Sequence, residues 1–338
     1  MRRVWIAGLA AAEVVVAAAG WTPQTSGVTA RLRGVSAVSN SIVWASGGNG
    51  TIVRTADGGR TWQRQSIPGT EQLDFRDIDA MSDRVAYVLS IGPGEASRIY
   101  KTVDAGAHWT LVFTAKDPKA FFDAMAFWDS NRGVAISDSI DGRFVILITR
   151  DGGLTWMTVD PKSLPPALPN EGAFAASGTN VAVLPPNHVW IGTGASRTSR
   201  VLHSADGGRT WTIADTPLTT SRSAGIFSIA FRDPLHGIVV GGDYQKESEA
   251  TNNAAVTSDG GKTWTAVSGL GGFRSVVAYA PGSRAAIAVG PTGADLSNDD
   301  GHTWTPVPGD GFHAFSFAPR SNVGWGVGEN GRIGRWSG

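Results

Sequence analysis

Eight residues, Thr55 to Trp62, constrain this chain more than any other feature, because five further copies of TADGGRTW follow. They are TVDAGAHW (102 to 109), TRDGGLTW (149 to 156), SADGGRTW (204 to 211), TSDGGKTW (257 to 264) and SNDDGHTW (297 to 304). Each reads Ser/Thr-x-Asp-x-Gly-x-x-Trp. One copy specifies a tight hairpin: the Asp bonds backbone amides of its own turn, and the Gly two residues on supplies the positive φ that the turn needs. The Trp opens the returning strand and covers the turn from the core side, where a side chain of its size buries roughly 150 to 250 Å². The second copy departs, with Ala105 in the first glycine position and His108 where most have Thr, so a looser hairpin is expected there. Residues such as Asp57 and Asp104 are poor metal ligands, since one carboxylate per turn is not a chelating cluster. Neither a metal nor a cofactor is expected.

The box tryptophans fall at 62, 109, 156, 211, 264 and 304, at intervals of 47, 47, 55, 53 and 40 residues. These are periods of one propeller blade, so the 338 residues read as one ring and not as two domains. Within each period an inner strand, a second strand and a third strand ending in the box precede a fourth strand that starts at the box Trp. In the first unit these are Val35 to Val38, Ile42 to Ser46, Thr51 to Thr55 and Thr61 to Gln65. Later inner strands are predicted at Phe75 to Ala80, Phe122 to Phe127, Ala173 to Ser177, Ile226 to Phe231, Phe273 to Tyr279 and Phe312 to Phe317. Trp44, Trp190 and Trp325 recur on second strands and read as packing between blades. A seventh unit lacks a box and stops one strand short. Trp21-Thr22-Pro23-Gln24 copies the Trp304-Thr305-Pro306-Val307 that follows the last box, so an N-terminal strand is expected to complete the last blade and leave no open seam. The prediction is an all-β, seven-bladed β-propeller of four-stranded antiparallel blades.

The 29 basic and 29 acidic side chains balance, so no global field recommends nucleic acid or an anionic membrane as partner. The absence of Cys excludes disulfides and thiolate metal sites. Residues 1 to 19 differ in kind: Arg2 and Arg3 precede an apolar run from Val4 to Ala19, and Ala17-Ala18-Ala19 offers a cleavage site before Gly20. This reads as a secretory signal, with Glu13 a charge inside the run, and the run is too short for a membrane span. The domain of residues 20 to 338 is therefore expected to be exported, periplasmic or extracellular. Gly326-Val327-Gly328-Glu329-Asn330-Gly331 fits GxGxxG, yet it sits between two strands and matches Gly47-Gly48-Asn49-Gly50, which makes it a hairpin and not a dinucleotide site.

The eight-residue signature resembles the Asp box of the bacterial neuraminidase repeat superfamily, whose members are β-propellers with the box between the third and fourth strands of each blade. In such a ring the starts of the inner strands share the face opposite the boxes with the turns between second and third strands. The residues just after the first apolar position of each inner strand are Arg33, Arg76, Asp123, Ala175, Phe227, Arg274 and His313, which brings three arginines and a histidine to one mouth of the channel. Longer turns on that face supply Asp138 and Asp243 with Tyr244, and the Pro-rich connector from Met157 to Gly172 brings Glu171 to blade four; these four are candidate ligand-binding residues. Within the superfamily the single ring and the Arg-bearing strands look like the photosystem II assembly and stability factor propellers and their relatives. That resemblance implies a non-enzymatic lumenal or periplasmic scaffold, with a partner protein engaged through Arg33, Arg76 and Arg274, and with His313 beside them. An acidic segment of the partner is the natural target of an Arg patch.

The alternative is a glycoside hydrolase with a carbohydrate ligand, since neuraminidases carry the same boxes. A neuraminidase would need an Arg-Ile-Pro motif, and the nearest string here is Ser66-Ile67-Pro68. Another glycosidase would use two carboxylates, such as Asp138 with Glu171 or Asp243, about 5 to 9.5 Å apart.

Overall fold

The computed structural model describes residues 20–338. The N-terminal segment read as a secretory signal lies outside the described residues. The described chain forms seven four-stranded antiparallel sheets, and each inner strand packs against the next until the last, Ala314–Phe317, meets the first, Leu32–Ala37. The ring is a seven-bladed β-propeller.

Closure follows the expected route. The N-terminal strand Gly20–Thr25 pairs antiparallel with the C-terminal strand Arg332–Ser337, in register from Gly20↔Ser337 to Thr25↔Arg332. Trp21 sets this register by packing among Phe312, Phe315 and Trp336, with ring centroids 4.5, 5.7 and 5.2 Å away. Gln24 then reaches blade one, donating to the Gly58 carbonyl (2.9 Å) and accepting from the Trp62 indole (3.2 Å).

The boxes hold their hairpins by one repeated set of bonds. In the first, the Thr55 hydroxyl donates to Asp57 Oδ1 (2.8 Å) and accepts from the Gly59 amide (2.9 Å). Asp57 in turn accepts from the Thr61 amide (2.9 Å) and hydroxyl (2.7 Å). These bonds, the Thr61 amide foremost, pull the Asp57 carboxyl down to about 2. The looser second hairpin is not found. His108 replaces the hydroxyl with its ring Nδ1, 2.7 Å from Asp104 Oδ2, and its amide bonds Oδ1 at 2.9 Å. Ala105 takes the left-handed φ of 65° that glycine holds at the matching Gly58, Gly152, Gly207 and Gly260. Trp44, Trp190 and Trp325 are fully buried, as expected of inter-blade packing. The GxGxxG string forms a turn of 3-10 helix, Glu329–Gly331, between two strands.

Blade four departs from the expected plan. Its inner strand is Val181–Leu184, not Ala173 to Ser177. The run of small residues at 173 to 177 has a strand-like composition, but its backbone is spent on other blades. The Ala173 amide donates to Asp138 Oδ1 of blade three (3.0 Å). The carbonyls of Ala175 and Ala176 accept from Arg76 of blade two (2.7 Å) and Arg33 of blade one (2.9 Å). The Ser177 hydroxyl donates to the Ser275 carbonyl at blade six (2.8 Å), and the Thr179 carbonyl accepts from the Ile229 amide of blade five (2.8 Å). The segment therefore crosses the channel. Gly178 permits the crossing: its φ is 75°, and a Cβ there would lie 2.1 Å from Asp77 Oδ1.

Candidate functional site

The crossing segment floors a cavity of about 830 Å³ at the mouth opposite the boxes, within the ~300–1,000 Å³ range of ligand pockets. Its wall includes Arg33, Arg76, Asp123, Ala175, Phe227 and His313, six of the seven residues that the strand alignment sends to this mouth. The seventh, Arg274, is 2% exposed. Its Nε and Nη2 bond Asp295 Oδ2 at 2.7 and 2.6 Å, and its Nη1 donates to the Phe273 carbonyl (3.0 Å). A guanidinium buried on its own carboxylate is structural, so Arg274 does not join the other two arginines at the cavity surface.

The basic side is made instead by Arg31, Arg33 and Arg76. Arg31 escaped the sequence reading because only one register per strand was followed; Leu32 between it and Arg33 turns into the core. The Arg31 side chain is 48% exposed and its Nε lies 2.6 Å from Glu329 Oε1. Arg76 donates from Nε to Asp74 (2.8 Å) while Nη1 holds the Ala175 carbonyl. Arg33 is buried, and burial followed by the charges of Arg76 and Arg31 pulls it down to about 9. It is still a cation at neutral pH. His313 belongs to the same wall without adding charge: burial, then Arg33, pushes it down to about 4. Its Nε2 sits 2.8 Å from Glu329 Oε1 and 3.3 Å from Arg31 Nε, and it donates to the first or accepts from the second according to its tautomer.

The acidic side is narrower than the sequence suggests. Glu171 is 1% exposed and fully used. Its Oε1 accepts from Arg200 Nε (2.9 Å) and the Thr193 hydroxyl (2.7 Å), and Oε2 accepts from Arg200 Nη2 and the Leu168 amide (2.8 Å). Although Glu171 borders the cavity, its carboxylate pins the Pro-rich connector against blade four. Asp243 lies outside the lining and caps its own turn through the Gln245 amide (3.0 Å), while the next residue, Tyr244, lines the rim and is 46% exposed. Asp138 does line the cavity, with Asp123 behind it. Burial pushes Asp138 up to about 6, and burial followed by the Asp138 charge pushes Asp123 well above the usual carboxylate range.

Phe174, which the sequence reading did not single out, reaches the cavity from the crossing segment and stacks on Phe227 at 4.1 Å. The mouth thus has a cationic side, an acidic side and an aromatic shelf above a backbone floor. Two solved structures are similar to this chain in fold. One is described as YCF48 bound to D1 peptide, with TM-score 0.66 and 19% identity over 94% of this chain and 97% of that one. The fold is similar to that of YCF48. YCF48 from Cyanidioschyzon merolae aligns with TM-score 0.68 and 18% identity, over 94% of this chain and 98% of its own. The resemblance to photosystem II assembly factors is thus met in the fold. No family model and no curated protein sequence matches the chain. The likeness to YCF48 concerns the path of the backbone, and the chemistry of the mouth rests on the side chains described above.

Proposed function

We propose that this chain is an exported, non-enzymatic scaffold whose box-distal cavity holds a segment of a partner protein. The observation that carries the reading is the cavity itself, with Arg31, Arg33 and Arg76 converging above a floor of hydrogen-bonded backbone. Guanidiniums held at fixed spacing bond carboxylates bidentately and give a protein segment both affinity and orientation. The likeness of fold to a YCF48 structure bound to D1 peptide supports the same reading. Export is supported by Arg2, Arg3 and the apolar run to Ala19. The glycosidase alternative is weakened because Glu171 is ion-paired with Arg200 and Asp243 lies outside the cavity.

Changing Arg31 and Arg76 together to Ala tests the reading. Both side chains are partly exposed, so the variant should fold, while the partner cross-linked to and co-purified with the native protein should be lost. A partner retained at native levels would refute the site. Turnover of aryl glycosides that disappears in Asp138→Asn would replace the scaffold with an enzyme.

A further inference from the structure

The wall facing the guanidiniums has two parts of different chemistry. Over blade five, Phe174 lies face to face on Phe227, 4.1 Å between centroids with planes 13° from parallel. Phe273 meets Phe227 edge-on at 4.6 Å, and Tyr244 meets it at 6.1 Å. Phe227 and Phe273 are buried and form the base of a shelf, whereas Phe174 and Tyr244 present its surface to the cavity. An aromatic face held open at the edge of a polar cavity gains free energy when a ligand covers it. The other part of the wall is acidic, with Asp138 of blade three and Glu247 beyond Tyr244.

We propose that the cavity selects a peptide segment in which a single carboxylate neighbours a large apolar side chain, the carboxylate on Arg31 and Arg76 and the apolar group on Phe174 and Tyr244. This deepens the scaffold reading and rests on it. A long acidic tail is a poor occupant: once one carboxylate sits on the arginines, the next ones face Asp138 and Glu247, and like charges brought together across an interface are repelled. Phe174 and Tyr244 are thereby specificity-determining residues. Neither belongs to the repeat, since Phe174 comes from the crossing segment and Tyr244 from the lengthened loop of blade five.

Four fluorescein-labelled peptides of equal length with both ends blocked test this, titrated by anisotropy against the full chain. One carries aspartate followed by phenylalanine, the second aspartate followed by serine, the third asparagine followed by phenylalanine, and the fourth three aspartates followed by serine. The aspartate–phenylalanine peptide should bind about tenfold tighter than aspartate–serine, the scale of one buried aromatic contact. The triple-aspartate peptide should gain nothing over the single one. Phe174→Ala with Tyr244→Ala should erase the tenfold preference for aspartate–phenylalanine over aspartate–serine, whereas Arg76→Ala should weaken both single-aspartate peptides. Tyr244→Ala alone guards against misfolding, because its ring is at the rim, and it should reduce the preference with no change in melting temperature. Equal binding of the two single-aspartate peptides, or tightest binding of the triple-aspartate peptide, would overturn this inference and leave the scaffold reading standing. Failure of all four peptides to bind would overturn both.

Discussion

Replacing Trp21 by Ala should loosen the ring at one identifiable seam. The indole is half-buried, and it is the only large apolar group that the strand Gly20–Thr25 contributes to blade seven, where it touches Phe312, Phe315 and Trp336. A fully buried aromatic costs about 3 to 5 kcal/mol on truncation to Ala. Half-burial lowers that figure, which already contains the lost aromatic pairs, to about 2 to 3 kcal/mol. In a chain of this length each kcal/mol moves the melting temperature by about 2 °C, which gives a fall of about 4 to 6 °C by circular dichroism. The location of the damage is the sharper test. Hydrogen exchange should accelerate at Arg332–Ser337, whose only outer partner is the N-terminal strand, and stay unchanged in blade three. Trp304→Ala serves as the control, because Trp304 occupies the matching position in blade six but joins no termini. A Trp21 variant that melts within 1 °C of the parent, or one whose exchange rises evenly around the ring, would refute closure by this strand.

Asp77, with Asp79 beside it, should make the fold less stable as pH rises. Burial pushes Asp77 up from 3.8 to about 8 and Asp79 up to about 7, so folding takes up protons; that stability is complete below the unfolded value and lost as pH climbs through 7 and 8. At about 1.4 kcal/mol per pKa unit the effect reaches several kcal/mol, and Asp77→Asn should flatten the pH dependence of the urea midpoint between pH 5 and 8; equal slopes would contradict it. Ala105→Gly should stabilise by about 0.5 to 1 kcal/mol, because Ala105 holds a left-handed φ of 65° inside an otherwise intact box. A lower melting temperature for that variant would show that the turn carries no strain.

The ring was legible because the box repeats, and the closing strand was legible because Trp21-Thr22-Pro23 copies the start of a fourth strand. The crossing segment was not, since Ala173 to Ser177 has the small, apolar character of an inner strand at about the right place. The spacing did carry a trace of it: 55 residues separate Trp156 from Trp211, the longest interval between boxes. At the mouth, strand alignment found which residues point to the cavity but not what they meet there. Arg274 precedes the inner strand Val276–Tyr279 and Asp295 lies on the strand Gly293–Ser297, 21 residues on, and no periodicity announces that one neutralises the other. The partner of Glu171, Arg200, is 29 residues later, on the strand Ser199–Ser204 beyond two other strands of blade four, so no local pattern pairs them. Phe174 was missed for a related reason, since its role depends on the path of the crossing segment.

That segment also changes how the molecule comes apart. In an array of repeats each unit touches only its neighbours, so the structure can fray one unit at a time, like a zipper opening from a loose end. Here the chain between Gly172 and Asn180 ties blade four to blades one, two, three, five and six through the bonds of Ala173, Ala175, Ala176, Ser177 and Thr179. It acts as a hub to which distant sectors of the wheel are spoked. Pulling one blade outward strains bonds on the far side, so the wheel yields as a whole or not at all.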